Sequence, residues 1–243
     1  MKMTSMKHRR PIAFVASFAG FVAIFGLIAI ANWGTAEEGP KPSAEFLTSD
    51  QALARLEQGN NRCVDGKSSH GHDQAKWRER FLVKQKPFAT VLGCSDSRVP
   101  PELLFDQGFG ELFVIRVAGN IVDPDVVGSI QYAVKHLDNK LIVVLGHQNC
   151  GAVTAALSPP DQTTGEPPEL GKLLDRIRPA IASLDRHQER EQLIAASVEA
   201  NVRASAKQLR RVPSIAEAMK TQHAKVVGAV YHIDSGKISF LDE

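Results

Sequence analysis

Two short segments of this 243-residue sequence carry the residue types from which a metal centre is built. An apolar run over 88–93 passes into Cys94-Ser95-Asp96-Ser97-Arg98, and a second over 141–145 passes into Gly146-His147-Gln148-Asn149-Cys150-Gly151. If both runs are strands of an open parallel sheet, they deliver the residues that follow to its carboxyl edge, where such sheets gather ligands. Cys94, His147 and Cys150 then converge as two thiolates and one imidazole, a soft-to-borderline donor set suited to Zn2+. Three protein donors leave a fourth tetrahedral position for water, the composition of a catalytic rather than a structural zinc site. Singly, a strand-end cysteine is an ordinary small buried residue. The His-x-x-Cys spacing, joined by a third donor at an equivalent sheet position, is what points to a metal. Cys63 has no such neighbours and reads as structural, in a loop-like stretch over 60–72 whose His70 and His72 read as solvated.

The elements that must position these residues follow from hydrophobic spacing. Helical periodicity covers 50–59, 73–84, 124–137, 170–184 and 189–211, and short apolar runs bounded by turn residues cover 88–94, 112–118, 141–146 and 225–232. Strands that are apolar throughout and separated by helices predict a sheet buried on both faces. After Ser235-Gly236 turns the chain, 238–241 reads as an antiparallel edge strand, and proline-bounded 158–168 as a surface loop. The expected fold class is α/β, a mainly parallel central β-sheet flanked by helices with an antiparallel C-terminal edge strand.

Composition limits what else the chain does. With 43% hydrophobic and 23% charged residues it has the make-up of a globular protein, neither disordered nor collagen-like. Four of its 29 basic residues, Lys2, Lys7, Arg9 and Arg10, precede Glu37, leaving 25 against 27 acidic residues, so no nucleic-acid surface is expected. Three cysteines cannot make a disulfide framework. The uncharged stretch over 12–31 has about the 20 residues that span a bilayer. Residues 1–36 therefore read as a signal peptide or an N-terminal membrane anchor, with small-residue cleavage sites at Ala29 and Ala31 or at Gly34 and Ala36. A linker over 37–49 leads into the zinc domain over 50–243. The protein is expected to be exported, either periplasmic or anchored to the inner membrane facing the periplasm, and to touch the membrane through that segment only. Arg9-Arg10 hints at the twin-arginine route, which exports folded proteins. Loading the metal before export would protect Cys94 and Cys150 from oxidation.

Cys-x-Asp-x-Arg at 94–98, followed about fifty residues later by Gly-His-x-x-Cys-Gly at 146–151, resembles the β-class carbonic anhydrases, and the similarity runs from about 50 to 241. The resemblance implies one Zn2+ per subunit on Cys94, His147 and Cys150, with Asp96 and Arg98 as a paired dyad beside the metal-bound solvent. It further implies that Gln85 makes polar contact with substrate, that Phe113 and Tyr132 wall the pocket, and that the Gly151 N–H faces it. The implied reaction is reversible hydration of CO2 to bicarbonate and a proton by attack of zinc-bound hydroxide, in a homodimer or dimer of dimers. Val91 stands where the bicarbonate-regulated branch tends to carry tryptophan, and Cys63 where phenylalanine is usual. Val117 and Ala118 read as core.

Charge arguments sharpen these expectations. Two thiolates and a neutral imidazole cancel the charge of Zn2+, so bound water is acidified less than at a three-histidine site, where its pKa is about 7. A planar Arg98 fork would hold Asp96 ionised and oriented. Hydrolysis of carbonyl sulfide or carbon disulfide on the same zinc is an alternative, as is a non-catalytic zinc module. A closed structural site lacks a fourth Cys or His nearby, and redox and deaminase sites lack their Cys-x-x-Cys.

Overall fold

The computed structural model describes residues 47–69, 84–159 and 165–242, all within one compact unit. The expected N-terminal segment, the helix over 73–84 and both loop histidines, His70 and His72, lie outside the described residues. Among the described residues no helix is long and apolar enough to cross a membrane.

Among the described residues five strands form a single sheet: β1 (Ala89–Gly93), β2 (Leu112–Arg116), β3 (Leu141–His147), β4 (Lys225–Tyr231) and β5 (Ile238–Leu241), in the order β2-β1-β3-β4-β5. The first four run parallel and β5 is antiparallel to β4, as the sequence predicts. Every residue of β3 is buried, because the strand is central and helices cover both faces. Alternation divides its side chains: Leu141, Val143 and Leu145 join one core, Ile142 and Val144 the other. The first core is closed by α1 (Ser49–Val64), α4 (Gly151–Ala156) and α5 (Pro168–Ile181), the second by α3 (Pro124–His136) and α7 (Pro213–Thr221). The long α6 (Arg190–Arg210) contributes Val198 to the first and Val202, Ala206 and Leu209 to the second. Each leucine or isoleucine buried in this way contributes about 1.5–3 kcal/mol of transfer free energy.

Val202 of α6 sits in a notch between two adjacent strands. A Cβ on Gly146 of β3 would lie 2.5 Å from one Val202 methyl, and a Cβ on Gly228 of β4 2.8 Å from the other. Bare backbone at both places is what lets the helix approach.

Local signals explain the helix starts. Thr48 and Gln51 form a reciprocal capping box at α1, and the Asp123 carboxylate accepts from the Val126 N–H before Pro124 opens α3. Three short helices carry too little periodicity to be read from sequence: α2 (Pro101–Leu104), α4 and α7.

Helix α1 extends to Val64, so Cys63 lies in its last turn rather than in a loop. The reason is tertiary. Asn60, only 4% exposed, donates to the carbonyls of Leu104 (3.0 Å) and Gly236 (2.9 Å) and accepts from the Ile238 N–H (2.9 Å). That network keeps a polar, loop-like composition helical. Asn60→Ala leaves three main-chain groups without their partner and is expected to cost roughly 2–4 kcal/mol of stability, read by urea unfolding.

Candidate metal centre

The parallel register of β1 with β3 pairs Gly93 with Leu145, so both chains run out at the same edge, a residue or two apart. Cys94 follows the end of β1, His147 is the last residue of β3, and Cys150 caps α4 directly after the two-residue turn Gln148-Asn149. Asn149 makes that turn in the left-handed region, φ +56°, which returns the chain so that Cys150 faces the same space as His147. The ligand atoms of the three residues lie within 4.8 Å of one another. All three residues are buried: 5%, 1% and 1% exposed.

The residues fit a metal ion on two independent observations. The sulfurs of Cys94 and Cys150 are 3.9 Å apart. Two sulfurs each 2.3 Å from one tetrahedral Zn2+ would be separated by about 3.8 Å. His147 Nδ1 lies 3.0 Å from the Gln148 carbonyl, which in the donating tautomer leaves Nε2 unprotonated, and that buried Nε2 has no hydrogen-bond partner. An outer-shell carbonyl fixing one nitrogen while the other stays open is how histidine ligands are oriented.

Charge is already arranged for thiolate binding. Cys94 is the thiol of the pair that loses its proton first, held down foremost by a hydrogen bond from Cys150 and further by the Gly119 N–H, 3.3 Å from its sulfur. Cys150, the donor in that bond and buried, is pushed up. A cation displaces the remaining proton, which couples metal affinity to pH.

Asp96 and Arg98 meet as a fork. Arg98 Nε donates to Oδ1 at 2.9 Å and Nη2 to Oδ2 at 2.8 Å, and the Arg98 N–H adds a third bond to Oδ1 at 2.9 Å. The side-chain bonds from Arg98 hold the Asp96 carboxyl well below the ordinary carboxylate range. Its Oδ2 lies 3.9 Å from His147 Nε2, at the margin of the donor cluster. Gly151, exposed at the first position of α4, has open space where a Cβ would stand.

The other expected pocket residues sit elsewhere in the chain. Gln85 is exposed before β1. Phe113 pairs in register with Thr90, four residues before Cys94, which at the rise of a strand is about 13 Å back from the carboxyl edge. Its ring lies 6.2 Å from that of Tyr132, which is 47% exposed and stands 5.1 Å from the His136 ring. Within one chain these aromatic residues form a cluster on the outer edge of the sheet, apart from the cysteines. Val91 is fully buried in β1, and Val117 packs against both cores.

Two supporting residues, Arg116 and Asn201, escaped the sequence argument. Arg116, at the end of β2 opposite Gly93, donates through Nε to the Cys94 carbonyl at 2.8 Å and through Nη2 to the Asp96 carbonyl, clamping the loop that carries both. The only signal was a charge closing an otherwise apolar run. Beneath it, Gly119 adopts φ +69°, a conformation glycine alone holds without strain, and its carbonyl accepts from the buried Asn201 amide at 2.7 Å.

A buried Cys-His-Cys cluster at the carboxyl edge of such a sheet, with an Arg-fastened aspartate beside it, defines a metal centre of the carbonic anhydrase kind. Residues 89–238 match the carbonic anhydrase family, and the chain belongs to its β class. It is an enzyme of that class. Carbonic anhydrase 2 of Mycobacterium tuberculosis is 37% identical over 196 residues, covering 79% of this chain and 92% of that protein. The carbonic anhydrase of Mycolicibacterium smegmatis is 40% identical over 195 residues, covering 77% and 90%. Among solved structures, one from a study of two tetrameric β-carbonic anhydrases of Sordaria macrospora superposes with a TM-score of 0.63 at 27% identity, covering 79% of this chain and 97% of that one.

Proposed function

We propose that Cys94, His147 and Cys150 hold one Zn2+ and that the enzyme catalyses the reversible hydration of CO2 to bicarbonate and a proton. The observation that carries this is the pair of sulfurs 3.9 Å apart beside a buried imidazole nitrogen with no partner. Zinc, when bound there, supplies a Lewis acid that acidifies water, less strongly than a three-histidine site does because two thiolates cancel its charge.

The protein's own residues do the rest. Asp96 is ionised and fixed, so it accepts a hydrogen bond from the attacking water and sets the direction of the oxygen lone pair. Both its oxygens are engaged by Arg98, which would keep the carboxylate from serving as a further ligand to a metal held by Cys94, His147 and Cys150. The Gly151 N–H would add a donor on the open side, and Gln85, apart from the cysteines within one chain, would offer its amide donor to a CO2 oxygen from a second copy of the chain.

The pocket wall formed by Phe113 and Tyr132 requires a second copy of the chain. Among the described residues β2 is the sheet edge with no strand on its outer side, and of the exposed apolar side chains Phe109 lies just before it in the chain and Tyr132 packs against its Phe113. Covering these apolar side chains in a homodimer, or a dimer of dimers, places the aromatic edge of one subunit against its partner. Phe109→Asp is expected to shift the species seen by light scattering toward monomer. The exported location expected from residues 1–36 belongs to this same proposal.

The function is tested by stopped-flow CO2 hydration with and without chelator treatment. Activity is expected to rise with pH from about 7 toward 9. Asp96 adds no inflection there, because its depressed ionisation is complete far below that range. Metal-loaded protein without CO2 hydration would overturn the proposal.

A further inference from the structure

We propose that Gln148 and Asp234 form a clasp that holds the His-x-x-Cys turn closed around the metal, making both of them positioning residues for the centre. The inference rests on the reading that Cys94, His147 and Cys150 bind a metal ion. Gln148 lies between two of these ligands and is tied down at every polar atom. Its N–H donates to the Tyr231 carbonyl at 2.8 Å, prolonging the β3–β4 ladder one step past the His147–Tyr231 pair. Its own carbonyl is the partner of His147 Nδ1. Its side-chain amide makes a reciprocal pair with Asp234: Nε2 donates to Oδ2 at 3.0 Å, and Oε1 accepts from the Asp234 N–H at 3.2 Å.

Asp234 sits in the turn that joins β4 to β5, 86 residues further along the chain. This turn is itself braced, since the Gly236 N–H donates to the His232 carbonyl at 2.8 Å and the His232 N–H to the Lys237 carbonyl at 2.8 Å. Asn149 next to Gln148 makes the turn in the left-handed conformation that asparagine tolerates better than most non-glycine residues. The turn of the metal loop thus borrows its fixity from the C-terminal hairpin. A carboxylate accepting from the amide makes the pair stronger than a neutral one, and Asp234 is correspondingly held more acidic than an ordinary aspartate, chiefly by that bond. Removing the clasp leaves Gln148 held by its main-chain bond to Tyr231 alone, which loosens the carbonyl that orients His147 and the approach of Cys150.

The test uses the full-length zinc-loaded protein and follows transfer of zinc to an excess of chromophoric chelator. Asp234→Ala and Gln148→Ala are each expected to release zinc about tenfold faster, the lower end of the effect of removing an outer-shell partner. The double variant is expected to be no faster than Gln148→Ala, which already removes both halves of the pair, while Asp234→Ala keeps the main-chain N–H bond to Oε1. Asp234→Asn keeps an acceptor oxygen and the main-chain N–H, and is expected to restore slow release. Cobalt-substituted protein gives a second readout: in the alanine variants its ligand-field bands broaden or shift, a change that a general loss of stability would not produce in folded protein. Faster hydrogen exchange at the Gln148 and Asn149 amides accompanies it. Wild-type release rates and unshifted bands in both alanine variants, or additive effects in the double one, overturn the clasp while leaving the metal reading intact. A wild-type protein that takes up no stoichiometric zinc overturns both.

Discussion

Cys150→Ser is expected to empty the metal site and to abolish CO2 hydration. A serine hydroxyl stays protonated at neutral pH, is a harder donor than a thiolate, and removes one of only three protein ligands. Since enzymes accelerate their reactions by at least about a million-fold, losing the metal should lower the rate by several orders of magnitude in stopped-flow assays. Elemental analysis should find less than stoichiometric zinc. The thermal midpoint should also lack the dependence on added zinc expected of the wild type, since a ligand present at a hundred times its Kd stabilises the folded state by about 2.7 kcal/mol. A variant that keeps one zinc per chain and full rate would show that Cys150 is not a ligand.

Asp96→Asn separates binding from turnover. The substitution leaves all three metal ligands in place, so zinc content is expected to stay at one per chain. The rate is expected to fall roughly 10²–10⁴-fold, the span over which a positioned proton-handling group usually contributes. Arg98 presents donors to both carboxylate oxygens, 2.9 and 2.8 Å away. An asparagine can satisfy only one of them, and its NH2 then confronts a guanidinium donor. It must rotate, which takes the acceptor away from the reacting water. If zinc is lost along with the rate, Asp96 acts on metal binding instead.

The architecture was legible in the sequence wherever one physical signal dominated. Strand β3 was read from its unbroken apolar run because a central parallel strand is buried on both sides, and β5 was read with the bounds it has. Cys94, His147 and Cys150 were found because parallel strands bring their carboxyl ends to one edge, whatever the separation in sequence. Boundaries failed where tertiary contacts outweighed composition. Asn60 to Cys63 looks like a loop until the carbonyls of Leu104 and Gly236 are placed beside the Asn60 amide. Arg116 and Asn201 were invisible for the same reason, since each acts by holding a main-chain carbonyl that a sequence does not locate. Phe113 and Tyr132 entered only through the family resemblance, and their distance from the cysteines within one chain reflects a strand register that no local pattern encodes.

The valine that α6 lodges between Gly146 and Gly228 works as an index pin. The recess spans two neighbouring strands, so sliding the helix by one turn, about 5.4 Å, would withdraw Val202 from it and drive another side chain toward the bare backbone. Longitudinal drift between the layers is thereby blocked one residue away from His147, and Asn201, beside the pin on the same helix, reaches Gly119 at a constant height. The catalytic edge inherits its alignment from a steric fit in the body of the protein.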